Sequence, residues 1–569
     1  MTENYLTILA ETIRTNWDAP ALTDFYLTED GTAQDTTRGN HYTYGEMYTE
    51  VCRVANLLTA LGLQKGDHIA ICGANSAHWV IAYLAIAKMQ GVSVTVMHTL
   101  QPDEIAHLVA FSDAKALFTD PDLWSELSPM YRPSLGDLSD VLSLADWTLL
   151  SCDKSADNYD TYTIDTRKIY DRYTLHSDTL TEGASEGTNP LTHRPSLGDT
   201  NSPSLRELVF FPQFAPDDLQ TICFTSGSTG AAKGVMLSYG NISASVRGVA
   251  ESCVLHKNKK AVSFLPLSHA YVLGGQVLTP LSYGACVYSL CGCRLPEQMF
   301  LSIAMIQPYA VFLVPMLVAK LSDAKNISML PMFTRTLEYM VIGGAEFPIQ
   351  IEKALAEMRI PIAPGYGVTE TAALISLSPF SDHRLGASGR IIQTLQARIS
   401  PVGEILVKGE NVMLGYYKDP EATAAKIDSD GWLHTGDKGH LDEDGYLYVE
   451  GRIEQDIIVL PNGENIRPDN IESLINALPE VSESIVLARN GHLVAIVVPA
   501  NSSPKLGDVS QRDGGVCIES RNTSVYLRRT ILHAVNPQLP LFSRLYDVEF
   551  TDQPLARTAK QTIKRYLYK

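Results

Sequence analysis

The sequence predicts an α/β protein in which a large N-terminal domain of parallel-rich sheets, flanked by helices, is followed by a small α/β C-terminal domain. Three observations predict this fold. Short apolar segments alternate with helical segments from about residue 42 onward. Several of the apolar segments end at a glycine, as buried strands commonly do. The 569 residues are also too many for one hydrophobic core, so the alternation indicates βαβ units spread over more than one domain.

The first elements are predicted within residues 43–96. Residues 43–58 carry apolar positions at helical spacing, and residues 79–89 form a second helix candidate. Residues 68–72, with the sequence HIAIC, are a short apolar run that ends at a glycine. Residues 92–96, VSVTV, are rich in β-branched side chains, which favour strands. We therefore expect strands and helices to alternate here.

Residues 125–215 interrupt this rhythm. They are rich in Ser, Thr, Asp, Gly and Pro, and they contain few apolar runs after residue 150. The hexapeptide RPSLGD occurs at 132–137 and again at 194–199, and a weaker copy, SPKLGD, occurs at 503–508. The copies are not evenly spaced as solenoid repeats are. We interpret the interval as inserted surface loops, with a binding role for the loops as the alternative.

A separate small domain is predicted at the C-terminal end. Residues 484–488 and 493–498 are apolar strand candidates joined by Asn490-Gly491, which is a strong hairpin signal. We place the boundary just after Gly451-Arg452. The predicted domains are therefore 1–452 and 453–569.

Composition excludes some classes of partner. The formal net charge is −19, which argues against non-specific binding to nucleic acid or to anionic membranes. Nine scattered cysteines indicate a reducing compartment, and Cys291 and Cys293 are read as thiols rather than as a metal site, because no second pair completes one. The N-terminus shows no secretory signal, and no apolar run has transmembrane length. We expect a cytoplasmic protein, and peripheral membrane contact stays open if its substrate is a lipid.

The strongest local motif is TSGSTGAAKG at residues 225–234, which follows an apolar strand candidate at 219–224. Glycines allow the backbone to approach a polyanion, while hydroxyls and amides donate hydrogen bonds to phosphate oxygens. Lys233 adds a positive charge. A Walker A loop would need Gly before the lysine and Ser or Thr after it, and here Ala232 and Gly234 stand there. A Ser/Gly-rich linker is the alternative on spacing alone.

Further blocks follow in a fixed order, and together with the loop they resemble the adenylate-forming superfamily of acyl-CoA synthetases, luciferases and peptide-synthetase adenylation domains. The blocks are PLSH at 266–269, GGAE at 343–346, GYGVTE at 365–370, GEILVKG at 403–409, GWLHTGD at 431–437 and GR at 451–452. The resemblance covers 40–125 and 215–569. The text around GENI at 463–466 and VMLGYY at 412–417 is most similar to long-chain fatty acyl-CoA synthetases.

The resemblance implies a role for each block. Thr369 would contact phosphate, Glu370 would bind Mg²⁺, and His269 would lie near the acyl carboxylate. Tyr366 would stack on adenine, and Asp437 would accept hydrogen bonds from the ribose. Without the resemblance, each of these residues has an alternative interpretation. Tyr366 could pack in the core, Glu370 could be a solvated carboxylate, and Asp437 could be a turn residue. The remaining predicted contacts to nucleotide come from Thr225, Ser226, Gly227, Ser228, Thr229, Gly230, Lys233, Gly344, Ala345, Glu346, Gly365, Gly367 and Arg452.

One departure from the family lies near the C-terminus. Family members usually carry a Gly-Lys pair whose lysine stabilises charge in the adenylation transition state. The matching positions here are Gln561-Thr562, and Thr562 has no charge. Lys560 is the first candidate to replace this lysine and Lys564 is the second. The family hinge between two orientations of a mobile C-terminal domain would fall at Gln455 or Asp456.

The resemblance implies ATP-dependent activation of a medium- to long-chain fatty acid to acyl-AMP, followed by thioester formation with coenzyme A. ATP, Mg²⁺ and coenzyme A are the implied cofactors. One alternative is an acyl-AMP ligase that loads the phosphopantetheine thiol of a carrier protein. The other is a non-catalytic relic that binds ATP or acyl chains. The sequence does not fix the oligomeric state.

Overall fold

The structure is a computed structural model that describes residues 4–28, 38–127, 140–144, 149–150, 163–164, 206–225, 232–253, 257–293, 296–321, 335–345, 347–379, 382–453, 458–461, 463–500, 519–551, 553, 555 and 568. The chain divides into two compact units. The large unit consists of Met1–His98, Pro102–Thr225 and Lys233–Gly451, and the small unit includes Arg452–Lys569.

The strands, in chain order, are β1 (Pro20–Phe25), β2 (His41–Thr43), β3 (His68–Cys72), β4 (Val92–Thr95), β5 (Ala116–Thr119), β6 (Asp140–Ser143), β7 (Leu149–Leu150), β8 (Thr163–Ile164), β9 (Leu219–Thr225), β10 (Lys233–Ser238), β11 (Lys260–Ser263), β12 (Cys286–Leu290), β13 (Ala310–Leu313), β14 (Tyr339–Ile342), β15 (Ile362–Tyr366), β16 (Ser376–Leu377), β17 (Arg390–Ile391), β18 (Leu395–Ile399), β19 (Glu404–Gly409), β20 (Gly415–Tyr416), β21 (Leu433–Leu441), β22 (Leu447–Arg452), β23 (Ile458–Val459), β24 (Asn465–Ile466), β25 (Val481–Arg489), β26 (His492–Pro499) and β27 (Leu545–Phe550).

The α-helices are α1 (Tyr5–Thr15), α2 (Tyr44–Ala60), α3 (Ala77–Lys88), α4 (Pro102–Phe111), α5 (Pro121–Glu126), α6 (Tyr239–Ser252), α7 (Ala270–Val272), α8 (Thr279–Ser282), α9 (Pro296–Ile306), α10 (Pro315–Leu321), α11 (Ile349–Glu357), α12 (Pro420–Lys426), α13 (Pro468–Asn476) and α14 (Glu519–Val535). A π-helix, Leu273–Leu278, joins α7 to α8. Short 3₁₀-helices occur at Thr369–Thr371, Asn536–Gln538 and Leu541–Ser543.

Two large sheets form the body of the large unit, and both are parallel at their centres. The first has the order β17-β16-β15-β14-β13-β11-β12-β1-β2, and the second has the order β20-β10-β9-β4-β3-β5-β6-β7-β8. In the first sheet the run from β15 to β1 is parallel. In the second the run from β9 to β6 is parallel. The predicted α/β fold with parallel-rich sheets is confirmed.

Helices α2 and α3 pack between these two sheets, because α2 contacts β1 of the first sheet while α3 contacts β3 and β4 of the second. Helix α2 begins with a capping box in which Thr43 and Glu46 satisfy each other's backbone amides. Helix α3 is buried along its whole length, which accounts for its apolar sequence on every face. The two helices predicted at 43–58 and 79–89 are therefore central core elements.

A third sheet of four strands, β18-β19-β21-β22, completes the large unit. The small unit contains a three-stranded sheet in which β26 pairs antiparallel with β25 and parallel with β27. Asn490 and Gly491 connect β25 to β26 with φ values of 51° and 78°, the left-handed geometry that a tight hairpin turn requires. The hairpin predicted at this dipeptide is confirmed. Helices α13 and α14 contact this sheet.

The interval 125–215 contains structure that the sequence did not predict. Strand β6 extends the second sheet by pairing in parallel with β5, and Val141 and Leu142 are buried. Strands β7 and β8 continue the same sheet. The prediction of surface loops is therefore wrong at residues 140–143, where a four-residue strand is too short to show a period. Both RPSLGD copies and SPKLGD lie outside the described residues.

In the described part of the chain, no helix combines the length and the apolar character needed to cross a bilayer.

Lys88 at the end of α3 is a buried cation, with only 8% of its surface exposed. Its Nζ donates hydrogen bonds to the backbone oxygen of Phe210 at 2.6 Å and to the hydroxyl of Tyr48 at 3.1 Å. The same ammonium lies 3.4 Å from the centre of the Phe210 ring, a cation–π contact. Burial lowers the pKa of Lys88 from 10.5 to about 8, and nearby Cys52 opposes that shift.

This buried lysine predicts a dependence of stability on pH. Between about pH 8 and pH 10.5 the unfolded chain keeps a proton at Lys88 that the folded chain has lost, so unfolding becomes harder as pH rises. Relative to Lys88→Met, the free energy of unfolding should increase by about 2 kcal/mol between about pH 7 and about pH 9.5. Denaturant unfolding of the original protein and of Lys88→Met at each pH measures this difference. Lys115→Met, which changes an exposed lysine, is the control. If the difference in the free energy of unfolding from the original protein is independent of pH for both variants, the prediction is wrong.

Candidate active site

The predicted site residues of the first sheet lie at the carboxyl ends of its parallel strands. β14 and β15 are parallel neighbours with Ile342 opposite Pro364, so the segments that follow them emerge at the same edge. Gly344 follows β14 and has a φ of +84°. A Cβ built on it would have the Cγ1 of Val314 as its nearest neighbour, 3.6 Å away. Ala345 follows Gly344, and Glu346 lies outside the described residues. Ligands of open α/β sheets commonly bind at this edge.

The segment after β15 turns back sharply on itself. Gly367 makes this possible, because a Cβ there would lie 2.2 Å from the backbone oxygen of Ala373. The backbone amide of Ile375 then donates to the oxygen of Tyr366 at 2.8 Å. The turn carries Thr369 and Glu370 on a 3₁₀-helix, both partly buried. The GYGVTE block therefore presents its aromatic ring, its hydroxyl and its carboxylate within one compact turn.

Strands β9 and β10 form an antiparallel hairpin that places Thr225 directly opposite Lys233. Both residues belong to the predicted phosphate loop, residues 225–234, and they stand on either side of the segment that joins the two strands. Five predicted loop residues, Ser226, Gly227, Ser228, Thr229 and Gly230, lie outside the described residues. The hairpin thus places Thr225 and Lys233 side by side on neighbouring strands at the base of the motif.

Lys233 and Glu370 are brought to the same side chain, Tyr416. The Lys233 Nζ lies 4.9 Å from the centre of the Tyr416 ring, and the Tyr416 hydroxyl donates to Glu370 Oε1 at 2.7 Å. The backbone amide of Met413 also donates to the backbone oxygen of Glu370 at 2.9 Å. Tyr416 was not among the predicted site residues. The signal for it in the sequence is its place in the VMLGYY block, one of the blocks that resemble the family.

Tyr366 and Asp437 form the second pair of the site. The Tyr366 hydroxyl donates to Asp437 Oδ2 at 2.5 Å, and Asp437 is only 6% exposed. The Asp437 amide donates to the Thr435 hydroxyl at 3.0 Å. Asp437 lies inside strand β21, so the alternative interpretation of Asp437 as a turn residue is wrong. Gly436 has φ +78°, and this residue accounts for the turn signal although β21 continues through it.

His269 lies just before α7, at the start of the segment that leads into the π-helix. Its backbone oxygen accepts from the amides of Val272 at 3.0 Å and Leu273 at 2.9 Å. Burial lowers the pKa of the His269 imidazole. The ring is therefore neutral at pH 7, and it can orient a carboxylate by a hydrogen bond but adds no positive charge.

A small, nearly apolar cavity lies beside this segment. It is about 10 Å³ in size, enough for about one water molecule. Gly274 lines it, and a Cβ there would lie 3.7 Å from the Ser245 hydroxyl oxygen. Gly275 instead packs on Phe312, since a Cβ there would be 2.7 Å from the ring. Of these two glycines, Gly274 lines the cavity and Gly275 does not. The other lining residues are Thr221, Cys223, Leu237, Ile242, Ser245, Ala270, Leu273, Leu278 and Ala372.

Several predicted residues cannot be placed against this site. Arg452 ends β22, and its side chain lies outside the described part of the chain. The same holds for all of Lys560, Gln561, Thr562 and Lys564, and for the hinge candidates Gln455 and Asp456. Their roles stay predictions.

The chemistry of the donor set fits Mg²⁺ bound together with a triphosphate. In the described ranges, no three His, Cys, Asp or Glu side chains come together as a metal cage. Mg²⁺ usually keeps several waters and takes one or two carboxylates plus substrate phosphates. Glu370 supplies such a carboxylate, and its contact with Tyr416 leaves Oε2 without that constraint.

Comparison with known proteins decides the family. The model of the AMP-binding enzyme family matches residues 9–417, and that of the AMP-binding enzyme C-terminal domain matches residues 455–568. The chain belongs to the AMP-binding enzyme family. The resemblance to adenylate-forming enzymes predicted from the sequence blocks is confirmed.

Relatives within this family carry CoA ligase names. 4-Coumarate–CoA ligase 3 of Arabidopsis thaliana is 28% identical, over 84% of this chain and 80% of its own length. 2-Succinylbenzoate–CoA ligase of Oceanobacillus iheyensis is also 28% identical, over 80% of this chain and 83% of its own. The solved structure of a Mycobacterium tuberculosis fatty acyl CoA synthetase shares the fold, with a TM-score of 0.61 at 21% identity, and the match covers 99% and 97% of the two chains.

Proposed function

We propose that this AMP-binding enzyme activates a carboxylic acid with ATP to an acyl-adenylate and transfers the acyl group to the thiol of coenzyme A. The observation that carries the proposal is the convergence of Lys233 and Glu370 on Tyr416, beside the Tyr366–Asp437 pair. One cluster supplies an ammonium and a carboxylate for a metal-bound triphosphate, and the other supplies an aromatic ring and a carboxylate for a nucleoside. CoA ligases among the relatives support the acceptor.

In the first half-reaction, a carboxylate oxygen of the acid attacks the α-phosphorus of ATP. The bond from that phosphorus to the bridging oxygen breaks, and pyrophosphate leaves. Lys233 and Thr225 face each other across the mouth of the phosphate loop, where they would orient the phosphates. Mg²⁺ neutralises triphosphate charge when it is bound, and Glu370 would be its protein ligand. Catalysis of this kind rests on positioning and charge neutralisation.

Asp437 and Tyr366 would hold the nucleoside. The Asp437 carboxylate is buried and already accepts one hydrogen bond from Tyr366. A ribose would add hydroxyl donors to that carboxylate, and the Tyr366 ring would stack against adenine. Because the phenol already fixes the carboxylate, little reorganisation accompanies nucleotide binding.

In the second half-reaction, the thiol sulfur attacks the acyl carbonyl carbon. The bond to the AMP phosphate oxygen breaks, the thiol proton is lost to solvent or base, and the thioester and AMP are released. A carrier-protein thiol is the alternative acceptor. Turnover with free coenzyme A distinguishes the two acceptors, because a ligase that loads a carrier protein would not turn over with coenzyme A alone.

For the acid, we propose a medium- to long-chain fatty acid, on the similarity of the GENI and VMLGYY blocks to long-chain acyl-CoA synthetases. A compact aromatic acid is the second candidate, because relatives are named for 4-coumarate and 2-succinylbenzoate.

ATP–pyrophosphate exchange without coenzyme A tests the proposal. The acids would run from acetate to palmitate, together with 4-coumarate and 2-succinylbenzoate. Exchange that peaks with one acid would establish adenylation and identify the acid class, and AMP release on adding coenzyme A would establish the second step. ATP binding without exchange for any acid would sink the proposal in favour of a non-catalytic relic.

A further inference from the structure

We infer that Tyr416 is a positioning residue that holds the Glu370 carboxylate in its metal-binding orientation and supports the Lys233 ammonium. The inference rests on the proposed function and adds a residue to it. Tyr416 meets the two charged groups with different parts of its side chain, since its hydroxyl donates to Glu370 Oε1 and its ring faces Lys233 Nζ. It therefore links the strand that follows the phosphate loop to the turn that carries the metal carboxylate.

The backbone around Tyr416 is fixed on both sides. Strand β20 pairs antiparallel with β10, with Tyr416 opposite Val235. The amides of Leu414 and Tyr417 extend that pairing by donating to the oxygens of Met236 and Gly234 at 3.0 Å and 2.7 Å. Because β10 begins at Lys233, a displacement of β20 would disturb the same hairpin that carries the lysine.

The other side of β20 is held by Thr423 on α12. The Tyr416 amide donates to the Thr423 hydroxyl at 2.8 Å, and that hydroxyl donates to the oxygen of Asp419. Gly415 has φ +145°, and a Cβ there would lie 2.8 Å from Thr423 Cγ2. Tyr416 itself is only 6% exposed. The backbone of Tyr416 is therefore held on both sides, and its buried side chain has few alternative orientations.

The two contacts differ in strength, and each suits its charged group. A hydrogen bond from a hydroxyl to a carboxylate is directional, so it selects one rotamer of Glu370 and occupies Oε1. Oε2 is then the oxygen presented to a cation. The contact of Lys233 with the ring is a looser cation–π interaction, from which the ammonium can extend towards a phosphate. Tyr416 would thus orient both charged groups before ATP and Mg²⁺ bind, which is the contribution expected of a positioning residue.

Tyr416→Phe tests the hydroxyl while it keeps the ring that faces Lys233. We expect the Mg²⁺ concentration for half-maximal ATP–pyrophosphate exchange to rise about tenfold, because a hydrogen bond to a charged group is lost. The KM for the acid should stay unchanged. Calorimetric titration of the protein with ATP in Mg²⁺ should show a similar weakening, and this readout does not depend on turnover.

The adjacent Tyr417 provides a matched control. It is also a tyrosine whose hydroxyl donates to a carboxylate, that of Asp113 at 2.7 Å, but this contact is exposed. Tyr417→Phe should leave both titrations as in the unchanged protein. Wild-type Mg²⁺ dependence and wild-type ATP affinity in Tyr416→Phe would overturn the inference.

A double-mutant cycle separates positioning from a purely structural role. If Tyr416 acts through Glu370, Tyr416→Phe should weaken binding of ATP in Mg²⁺ no further once Glu370→Gln is present. Additive losses would overturn the inference, even if thermal unfolding shows that Tyr416→Phe is less stable. The cycle measures binding of ATP, whereas pyrophosphate exchange tests the proposed function, so the two can fail independently. If the protein binds ATP but exchanges no pyrophosphate, the proposed function is wrong, and the cycle still decides the role of Tyr416.

Discussion

Glu370→Gln is expected to lower ATP–pyrophosphate exchange by about 100-fold, comparable to the loss of one preorganised electrostatic group in an active site. The amide has the shape of the carboxylate but lacks its charge, so it is a poor ligand for Mg²⁺. Glutamine can still accept the hydrogen bond that Tyr416 donates to Oε1, and the backbone bond from Met413 is unchanged. The folded structure should therefore persist, with thermal unfolding close to that of the original protein.

The matched control for this variant is Glu443→Gln. Glu443 is an exposed glutamate in the turn between β21 and β22, where the loss of one charge should leave exchange unchanged. Exchange would be followed across a range of Mg²⁺ concentrations, because a lost metal ligand gives a defect that excess metal partly restores. An unchanged rate at limiting Mg²⁺ in Glu370→Gln would remove this residue from the metal role.

Lys560→Ala is expected to reduce adenylation by about 100-fold while leaving thioester formation from a preformed acyl-adenylate intact. The reason is electrostatic, since negative charge moves onto pyrophosphate as the carboxylate attacks, and a nearby ammonium stabilises that transition state. Thr562 stands where the resemblance places the family lysine, and it cannot supply this charge. Separate assays of the two half-reactions measure the effect.

Lys564→Ala is the natural comparison, because it removes an equal charge four residues away. A large loss in Lys564→Ala with little change in Lys560→Ala would exchange the two assignments. Full exchange in both single variants and in the double variant would show that adenylation here requires neither Lys560 nor Lys564.

The sequence predicted the framework well because its signals were local. The apolar spacing of α2, the apolar run in β3 and the Asn490-Gly491 turn each act within one short segment. Such signals depend on propensity and period, which one stretch of chain contains. The GYGVTE block was identified by resemblance, and the structure adds that its Gly367 is required by a close approach to the Ala373 backbone within the same segment.

What the sequence could not show are contacts between residues distant in the chain. Tyr416 and Glu370 are 46 positions apart, and Tyr366 and Asp437 are 71 positions apart. Nothing local distinguishes Tyr416 from its neighbour Tyr417, although Tyr416 is buried beside the candidate site, while Tyr417 is half-buried and its hydroxyl contacts Asp113 at the surface. Strand pairing makes that distinction, because Tyr416 is paired with β10 as the last residue of β20, while Tyr417 follows the strand, and successive side chains of an extended segment point to opposite faces.

The first forty residues illustrate the same limit. They carried no recognised block, yet β1 lies inside the first sheet between β12 and β2, and the inward face of α1 is fully buried. Burial of this kind follows from tertiary packing, which overrides weak local preferences. Truncations of this segment would therefore be expected to destabilise the large unit.

The π-helix Leu273–Leu278 bears on how acid specificity could be redesigned. A π-helix holds one residue more than an α-helix of equal length would, and every residue of this one is buried. Gln276 anchors it by donating to the oxygen of Phe312 and accepting from the amide of Phe264. Deleting one residue would rotate the flanking segment by about 100° and re-aim His269 and Gly274 together. Where the proposed acid binds beside His269, a change in the length of this helix would therefore reshape the binding site in one step, whereas a point substitution would change one side chain.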